Sequence, residues 1–291
     1  MKRFSANLDR GFRNRFPWVY YYLIQRPRIG FQFKTERALL KGGARLSKSA
    51  HPSILFFTTQ KCASRYVSSV IGKLCASAEM VHVDYDAFVA MVRLPKQKNP
   101  FSFDGSISTA FHREGYYYGP IGTYRDIPNS DAYKTLLQLR DPRDVLTSLY
   151  FSTAYSHALI SPKLIRRRKE AQTLGIDEYV ITSAEEYLTI YNGYCDHLLG
   201  QKNLLFLKYE EMVTDFDAWL QKLRQHLALS DQEEAIEAIR TDADFSMEQE
   251  DPYSQRRQIR PGDHRRKLKP ETIKKLNKRF KPVLEKLNYP I

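Results

Sequence analysis

Three short, almost continuously apolar runs alternate along this chain with longer segments whose apolar positions recur every three or four residues. The runs cover residues 54–58, 135–139 and 204–207. Their length and continuity predict strands that are buried on both faces of a sheet. The periodic segments predict amphipathic helices. This alternation indicates an α/β fold with three layers, in which helices flank both faces of a central, mostly parallel sheet.

The predicted helices differ in how clearly they begin and end. The clearest start follows the second run, where Asp141 can cap the helix and Pro142 fits its first turn. Pro282 is expected to kink or interrupt the last helix. A short strand is predicted near 107–111, and the pattern at 81–92 is ambiguous. The predicted helices are 64–76, 142–150, 184–199, 218–227, 231–239 and 270–287.

The formal net charge of +13 is concentrated at the two ends of the 291-residue chain. Residues 1–50 contain 12 Lys/Arg and 2 acidic residues, and residues 255–281 contain the same numbers, so the remainder is mildly acidic. Basic ends of this kind suit an anionic ligand, an anionic polymer or a lipid surface. The organisation we predict is a basic N-terminal extension, residues 1–50, packed on a single domain that spans 51–291.

Cysteine content and hydropathy exclude several classes of protein. Cys62, Cys75 and Cys195 show no CxxC spacing, which argues against a disulfide framework and a zinc site, so we expect no metal. The apolar stretch Phe16–Ile24 is too short to span a bilayer and lacks a signal-peptide cleavage site. It is compatible with peripheral membrane contact, although packing on the domain is favoured. A cytoplasmic location is the default prediction.

The first run leads directly into the string TTQKCASRY at Thr58–Tyr66. The free N–H groups at the start of the following helix form an anion site, to which a lysine, a hydroxyl and an arginine fork add donors. The string has no glycine and does not match GxxxxGK[ST], which argues against an ordinary P-loop ATPase or kinase. The residues predicted to bind phosphate or sulfate here are Lys61, Cys62, Ala63, Ser64 and Arg65.

The second run leads into LLQLRDPRDVLTS at Leu136–Ser148. Arg140 leaves the strand at its carboxyl end, and Ser148 lies about two helical turns into the next helix. Arg143 and Asp144 are expected to form a local pair or to be charges on the helix surface. Because ligands bind at the carboxyl ends of parallel strands, we predict that both strings form one anion site.

Together the two strings resemble the nucleotide-binding motifs of sulfotransferases. The first resembles the 5′-phosphosulfate loop Thr-x-x-Lys-x-Gly-Thr-Thr/Ser-Trp, with Ala63, Arg65 and Tyr66 in place of the usual Gly, hydroxyl residue and Trp. In the second, Arg140 and Ser148 keep the spacing of the pair that binds the 3′-phosphate. The resemblance implies the P-loop NTPase-like sulfotransferase fold and 3′-phosphoadenylyl sulfate (PAPS) as sulfuryl donor. PAP, the desulfated nucleotide, is then the product, and Lys61 stabilises the departing oxygen.

Two further strings lie where the resemblance places nucleotide contacts. Tyr209, in Tyr-Glu-Glu-Met, matches a tyrosine that lies near the adenine in the family. The string Arg260-Pro261-Gly262 resembles the Arg-x-Gly loop that closes over the 3′-phosphate. Its neighbours Arg256, Arg257 and Arg265 could share that role. The resemblance covers roughly residues 53–285.

A general base should take the proton of the acceptor. His112 is the predicted base, because it lies between the two strings, roughly where cytosolic sulfotransferases keep theirs. Asp84 is the alternative, since polysaccharide sulfotransferases use a carboxylate after the first helix.

The acceptor stays open at this point: a hydroxyl or amine of a small molecule or a glycan. Tyr116–Tyr118, the loop 95–130 and an insertion at 156–182 are predicted to wall its pocket. Two other functions remain as alternatives, a P-loop kinase-like nucleotide enzyme and a basic polyanion-binding module. No RNP, KH or helix-turn-helix pattern occurs, so nucleic acid is not expected as a partner. The oligomeric state is not predicted.

Overall fold

The strands are β1 Ile54–Thr58, β2 Val81–Val83, β3 Tyr116–Ile121, β4 Lys134–Leu139 and β5 Leu204–Lys208. They form one five-stranded sheet in the order β2-β3-β1-β4-β5, and the two motif loops follow the carboxyl ends of β1 and β4. β1 pairs in parallel with both β3 and β4, and β4 pairs in parallel with β5. Phe57 of β1 lies opposite Leu137 of β4, so the two strands end side by side.

The computed structural model describes residues 30–42, 45–92, 110–157, 162–229, 233–243, 245, 250 and 259–291. The predictions for Phe16–Ile24, for most of the 1–50 extension, and for Arg256 and Arg257 fall outside these residues. Within them the helices are α1 Lys34–Leu40, α2 Ser64–Ala76, α3 Tyr85–Val92, α4 Pro142–Phe151, α5 Pro162–His197, α6 Tyr209–Thr214, α7 Phe216–Leu227, α8 Glu233–Thr241, α9 Asp263–Lys267 and α10 Pro270–Lys286.

The chain divides into two units. The larger unit comprises Ser47–His82 and Arg113–Ile291, and it contains the two motif loops and the strands β1, β3, β4 and β5. The smaller unit comprises Met1–Leu46 and Val83–His112. Inside the smaller unit, Phe33 packs edge-to-face on Phe88 of α3 with ring centroids 5.6 Å apart.

The main core of the larger unit confirms the helical periodicity read from the sequence. Val67, Val70, Ile71 and Leu74 of α2 are all buried and share one face of the helix. They belong to one hydrophobic cluster with β1 and with Trp219, which is fully buried on α7. The sheet is therefore covered by helices, as predicted.

Several sequence-based boundaries were wrong. Residues 116–118 form the start of β3 and are at most 1% exposed, so they are core tyrosines rather than walls of an open pocket. Much of the predicted insertion 156–182 is helix α5, which changes direction at Gly175, where φ is 71°. The ambiguous stretch 81–92 forms β2 and α3. Residues 110–111 are not a strand, and 107–109 lie outside the described residues.

Helix α10 continues through Pro282 rather than ending there. Pro282 is exposed, so water can satisfy the backbone carbonyl that loses its N–H donor. No helix among the described residues is long and apolar enough to cross a membrane. The described part of the chain also contains no cluster of His, Cys, Asp and Glu that could hold a metal ion.

Candidate active site

The loop after β1 has an unusual backbone at two of three consecutive residues. Lys61 has φ of 67°, and Ala63, which precedes α2, has φ of 59° and ψ of 30°. The left-handed region costs a residue with a Cβ atom roughly 1–2 kcal/mol, so the rest of the structure must impose this turn. No side chain caps the start of α2. The helix therefore presents its first N–H groups beside Lys61, Ser64 and Arg65, an arrangement that suits an anion.

Buried Gln138 at the end of β4 supports this loop. Its Nε2 donates to the carbonyl oxygen of Cys62 at 3.0 Å, and its Oε1 accepts from Trp219 Nε1 at 3.1 Å. Thr58 Oγ1 donates to the Gln138 carbonyl oxygen at 2.8 Å. Burial raises the pKa of the Cys62 thiol to about 12, so this residue contributes backbone rather than thiolate chemistry. The sequence did not single out Gln138.

Arg140 joins the second motif to the first. Its Nη1 lies 3.5 Å from the carbonyl oxygen of Lys61, and its guanidinium carbon lies 4.4 Å from the centroid of the Tyr209 ring. Only 3% of the residue is exposed, and its Nε has no hydrogen-bond partner among the described residues. A buried guanidinium N–H without an acceptor is costly, and an anionic ligand would supply one.

Asp144 connects Arg140 to the loop before α9. Its Oδ2 lies 3.7 Å from Arg140 Nη2 and accepts from the Gly262 backbone N–H at 2.7 Å. Its Oδ1 accepts from the backbone N–H of His264 at 2.9 Å and from His264 Nδ1 at 2.6 Å. Burial alone would raise the pKa of this carboxyl, but the His264 hydrogen bonds and the Arg140 charge lower it to about 2.

The prediction that Arg143 and Asp144 are a local pair or surface charges is therefore wrong. Asp144 is fully buried, and Arg143 is 1% exposed. Arg143 binds the Asp141 carboxylate through Nε at 2.9 Å and Nη2 at 2.6 Å, and it reaches Asn277 Oδ1 of α10 at 2.6 Å. The predicted cap is confirmed, because Asp141 Oδ1 accepts from the backbone N–H of Arg143 at 2.9 Å. Helical periodicity could not reveal partners so distant in sequence.

Tyr209 and Glu210 support the site from the start of α6. Tyr209 is 5% exposed, lies against Arg140, and donates its hydroxyl to the carbonyl oxygen of Ile259 at 2.8 Å. Glu210 Oε1 accepts from the backbone N–H of Asp141 at 2.9 Å, and burial raises its pKa. The described contacts of Tyr209 orient an arginine and a loop, and its adenine contact stays a prediction.

The predicted lid is attached to the site through its backbone. Gly262 has φ of 76° and precedes α9, a conformation that favours glycine. Arg266 holds the loop by donating to the carbonyl oxygens of Pro261 at 3.1 Å and Arg260 at 3.3 Å. The Arg260 side chain is exposed, and Ser148 is half-buried on α4.

The two predicted bases both lie in the smaller unit. Burial and the charge of Arg45 lower the pKa of His112. Asp84 Oδ1 accepts from the backbone N–H of Ala87 at 2.8 Å, so this carboxylate caps the start of α3.

His157, which sequence reasoning missed, lies in the larger unit after the π-helical turn Ser152–Ser156. Its backbone N–H donates to Ser152 O at 2.7 Å, and its carbonyl oxygen accepts from Arg168 at 2.6 Å. Partial burial and the charges of Lys61, Arg168 and Arg65 lower its pKa. The imidazole is therefore mainly neutral at pH 7 and able to accept a proton.

Comparison with known proteins agrees with this geometry. The family model described as "Sulfotransferase domain" matches residues 126–288, more than half of the chain. The chain belongs to this family, which confirms the sequence-based identification. The match includes Arg140 and Ser148 but not the loop at Lys61. A search of curated protein sequences finds no match.

Solved structures of low sequence identity share the fold, which confirms the predicted fold class. A mouse sulfotransferase, SULT7A1, complexed with PAP is 15% identical, covers 86% of this chain and 89% of its own, and has a TM-score of 0.57. Retinol dehydratase in a complex with retinol and PAP is 16% identical, with coverages of 87% and 85% and a TM-score of 0.53. The same enzyme with androsterone and inactive cofactor PAP is 15% identical, with 87% and 84% covered and a TM-score of 0.54.

Proposed function

We propose that this protein transfers a sulfuryl group from PAPS to a hydroxyl or amine of an acceptor and releases PAP. The observation that carries the proposal is the buried Arg140, whose Nε lacks a partner among the described residues and whose Nη1 contacts the Lys61 loop. Lys61 and Arg140 follow the neighbouring parallel strands β1 and β4, so one nucleotide could contact both cations. The PAP bound to the structurally similar enzymes supports this choice of donor.

The residues divide into those that hold the donor and those that act during transfer. Arg140 and Ser148 would bind the 3′-phosphate, and the loop containing Arg260 and Gly262 would close over it. Because Asp144 contacts both Arg140 and Gly262, one buried carboxylate orients the phosphate ligand and the lid together. We propose that Tyr209 also contacts the adenine.

Transfer itself depends on the loop after β1. The bond between sulfur and the departing phosphate oxygen breaks, a bond between sulfur and the acceptor atom forms, and the acceptor proton passes to a base. By analogy with phosphoryl transfer, positioning and charge stabilisation supply most of the catalysis. Lys61 would stabilise the departing oxygen. The N–H groups that begin α2 and the side chains of Ser64 and Arg65 would hold the sulfuryl group, with Cys62 and Ala63 contributing backbone.

For the general base we propose His112 first and Asp84 second. His157 is a third candidate, favoured by its position in the electrostatic field of Lys61. The acceptor is proposed to be a small molecule or a glycan. A cytoplasmic reaction is proposed because Cys62, Cys75 and Cys195 are all free thiols, as expected in a reducing compartment.

Lys61→Ala tests the function directly. We expect calorimetry to detect PAP binding to the wild type, and we expect the variant to keep its fold while sulfuryl transfer from PAPS falls by about a thousandfold or more. Lys202→Ala, at an exposed lysine before β5, is the matched control and should transfer at the wild-type rate. Near-normal turnover by Lys61→Ala, or binding of ATP–Mg²⁺ in place of PAP, would contradict the proposal.

The base is tested by comparing kcat for His112→Ala, Asp84→Asn and His157→Ala. Asn retains the cap of α3, so its effect reports chemistry rather than folding. Loss of the base should lower kcat by about 10²–10⁴-fold. A histidine base with a lowered pKa predicts that wild-type kcat rises with pH below 6.5 and then levels. An unchanged kcat in His112→Ala would exclude His112 as the general base and would leave Asp84 and His157 as the candidates.

A further inference from the structure

The described C-terminal segment, residues 259–291, is strongly basic on its exposed side. It contains eleven Lys/Arg and three acidic residues. The cations that pair with a carboxylate are Arg266, Lys267, Lys281 and Lys286. Six further exposed cations contact no carboxylate among the described residues, and we call them the basic face: Arg265, Lys269, Lys274, Lys275, Lys278 and Arg279.

Repulsion between the cations of the basic face destabilises α10, the helix that carries most of them. On α10, Lys274 and Lys278 are four residues apart, as are Lys275 and Arg279. Like charges at this spacing are neighbours on the helix surface and destabilise it by roughly 0.2–0.5 kcal/mol per pair. An external anion bound to these side chains would relieve this repulsion.

Part of this surface is concave. Lys275, Lys278 and Arg279 of α10 line a cleft of about 390 Å³ together with Ile181 of α5. Arg279 Nη1 donates to the carbonyl oxygen of Ile181 at 3.1 Å, which fixes the guanidinium at one wall. An anionic group that enters the cleft would therefore meet three cations of α10.

The segment that carries the basic face is also hydrogen-bonded to Asp144 of the candidate donor site. Arg265 and Lys269 follow Gly262, whose backbone N–H is bound by Asp144 beside Arg140. The opposite side of α10 contacts the start of α4, since Asn277 Oδ1 accepts a hydrogen bond from Arg143 at 2.6 Å. A long anionic molecule bound on this face would thus lie on the same segment as the lid.

The chemistry of the face favours a glycan over other polyanions. The aromatic residues of the segment, Phe280 and Tyr289, are buried, so it offers no ring on which the bases of single-stranded nucleic acid could stack. The exposed residues of α10 include no large apolar side chain of the kind that a membrane-bound helix inserts. An acidic polysaccharide supplies both closely spaced anions and the hydroxyl groups that a sulfotransferase requires.

We propose that the basic face binds an acidic polysaccharide bearing carboxylate or sulfate groups, and that this polysaccharide is the acceptor. The inference rests on the proposed sulfuryl transfer and names the substrate class for the same site.

The test compares the triple variant Lys274→Glu/Lys275→Glu/Lys278→Glu with the control Lys41→Glu/Lys48→Glu/Lys202→Glu. The control changes three exposed lysines outside the face and alters the net charge equally. Binding of labelled heparin is measured against salt concentration, PAP binding by calorimetry, and transfer from PAPS to partly desulfated heparin by KM and kcat.

We expect the face variant to bind heparin about tenfold or more weakly at low salt. Its slope of log K against log salt should fall by about three, one for each lost contact. The KM for desulfated heparin should rise at unchanged kcat. The control should stay within about threefold of the wild type, and all three proteins should bind PAP equally.

Equal losses in the two triple variants would overturn the proposal, because net charge alone would then explain them. Face-dependent binding of duplex DNA or anionic vesicles without heparin binding would overturn the choice of partner. Failure of the proposed function is recognised separately, as absent PAP binding by the wild type.

Discussion

The loops that follow β1 and β4 contribute to one candidate site but are built in opposite ways. After β4 the charged residues are at most 5% exposed and are joined by ion pairs and hydrogen bonds: Arg140, Asp141, Arg143 and Asp144. After β1, Lys61 and Ser64 are half-buried, Arg65 is exposed, and the backbone twice enters the left-handed region. A buried, fixed guanidinium suits a phosphate that stays in place, whereas an accessible lysine can contact a group that is being transferred.

This contrast also explains why the family model matches one loop and not the other. The family model includes the loop after β4 and begins after the loop at Lys61. Buried charges need particular partners, so a substitution among them is costly. The loop after β1 relies on backbone N–H groups and a flexible cation, and such contacts tolerate Ala63 and Arg65 where the family usually has other residues.

The largest effect is expected for Asp144→Asn, among the charged residues after β4. Removing one partner of a buried ion pair should destabilise the protein by about 3 kcal/mol and weaken PAP binding, because Arg140 and Gly262 lose their shared partner. Urea unfolding and calorimetry measure the two effects. Asp217→Asn, which alters the exposed pair with Arg240, is the control and should cost under about 1 kcal/mol.

The same carboxylate predicts a pH dependence. The pKa of Asp144 is lowered from 3.8 to about 2 in the folded protein, so its contribution is complete above the unfolded value and is lost as pH falls towards 2. A shift of this size corresponds to about 2 kcal/mol. The difference in unfolding free energy between wild type and Asp144→Asn should therefore shrink between pH 5 and 2, and a constant difference would refute this coupling.

A smaller effect is expected when the support of the loop after β1 is removed. Gln138→Leu leaves the Cys62 carbonyl and Trp219 Nε1 without their partner and should cost about 2 kcal/mol, with a lower kcat because Lys61 is less well placed. Gln60→Leu, at an exposed glutamine of the same loop, is the matched control. Equal effects of the two variants would show that the support is unimportant.

The smallest expected effect concerns the left-handed turn. Ala63→Gly should stabilise the protein by up to about 1 kcal/mol, since glycine adopts positive φ without strain but loses more entropy on folding. Ala228→Gly is a matched control, because Ala228 has φ of 53° at the end of α7. Only Ala63→Gly should change PAP affinity, by up to about fivefold. An equal change of PAP affinity in both variants would show that the left-handed turn at Ala63 has no particular role in ligand binding.

The hydrophobic pattern predicted much of the fold, but it did not predict the secondary structure of segments that are rich in aromatic residues or of mixed composition. The three apolar runs became β1, β4 and β5, as predicted. β3 was missed because Tyr116–Tyr118 occurs in a segment rich in turn-forming residues, and its burial comes from pairing with β1. The helix α5 was underestimated because its first half is polar and exposed.

Sequence pattern was sufficient for the alternation of strands and helices and for the family, and it predicts anion binding by the loops after β1 and β4. These features depend on residues close together in the chain, where spacing and local propensity carry the information. The tertiary structure alone decided that Gln138 supports Cys62, that Asp144 joins Arg140 to Gly262 and His264, and that Lys61 lies within the electrostatic influence of His157. Such contacts form only when the sheet aligns strand ends and packing brings distant helices together, and no local pattern encodes them.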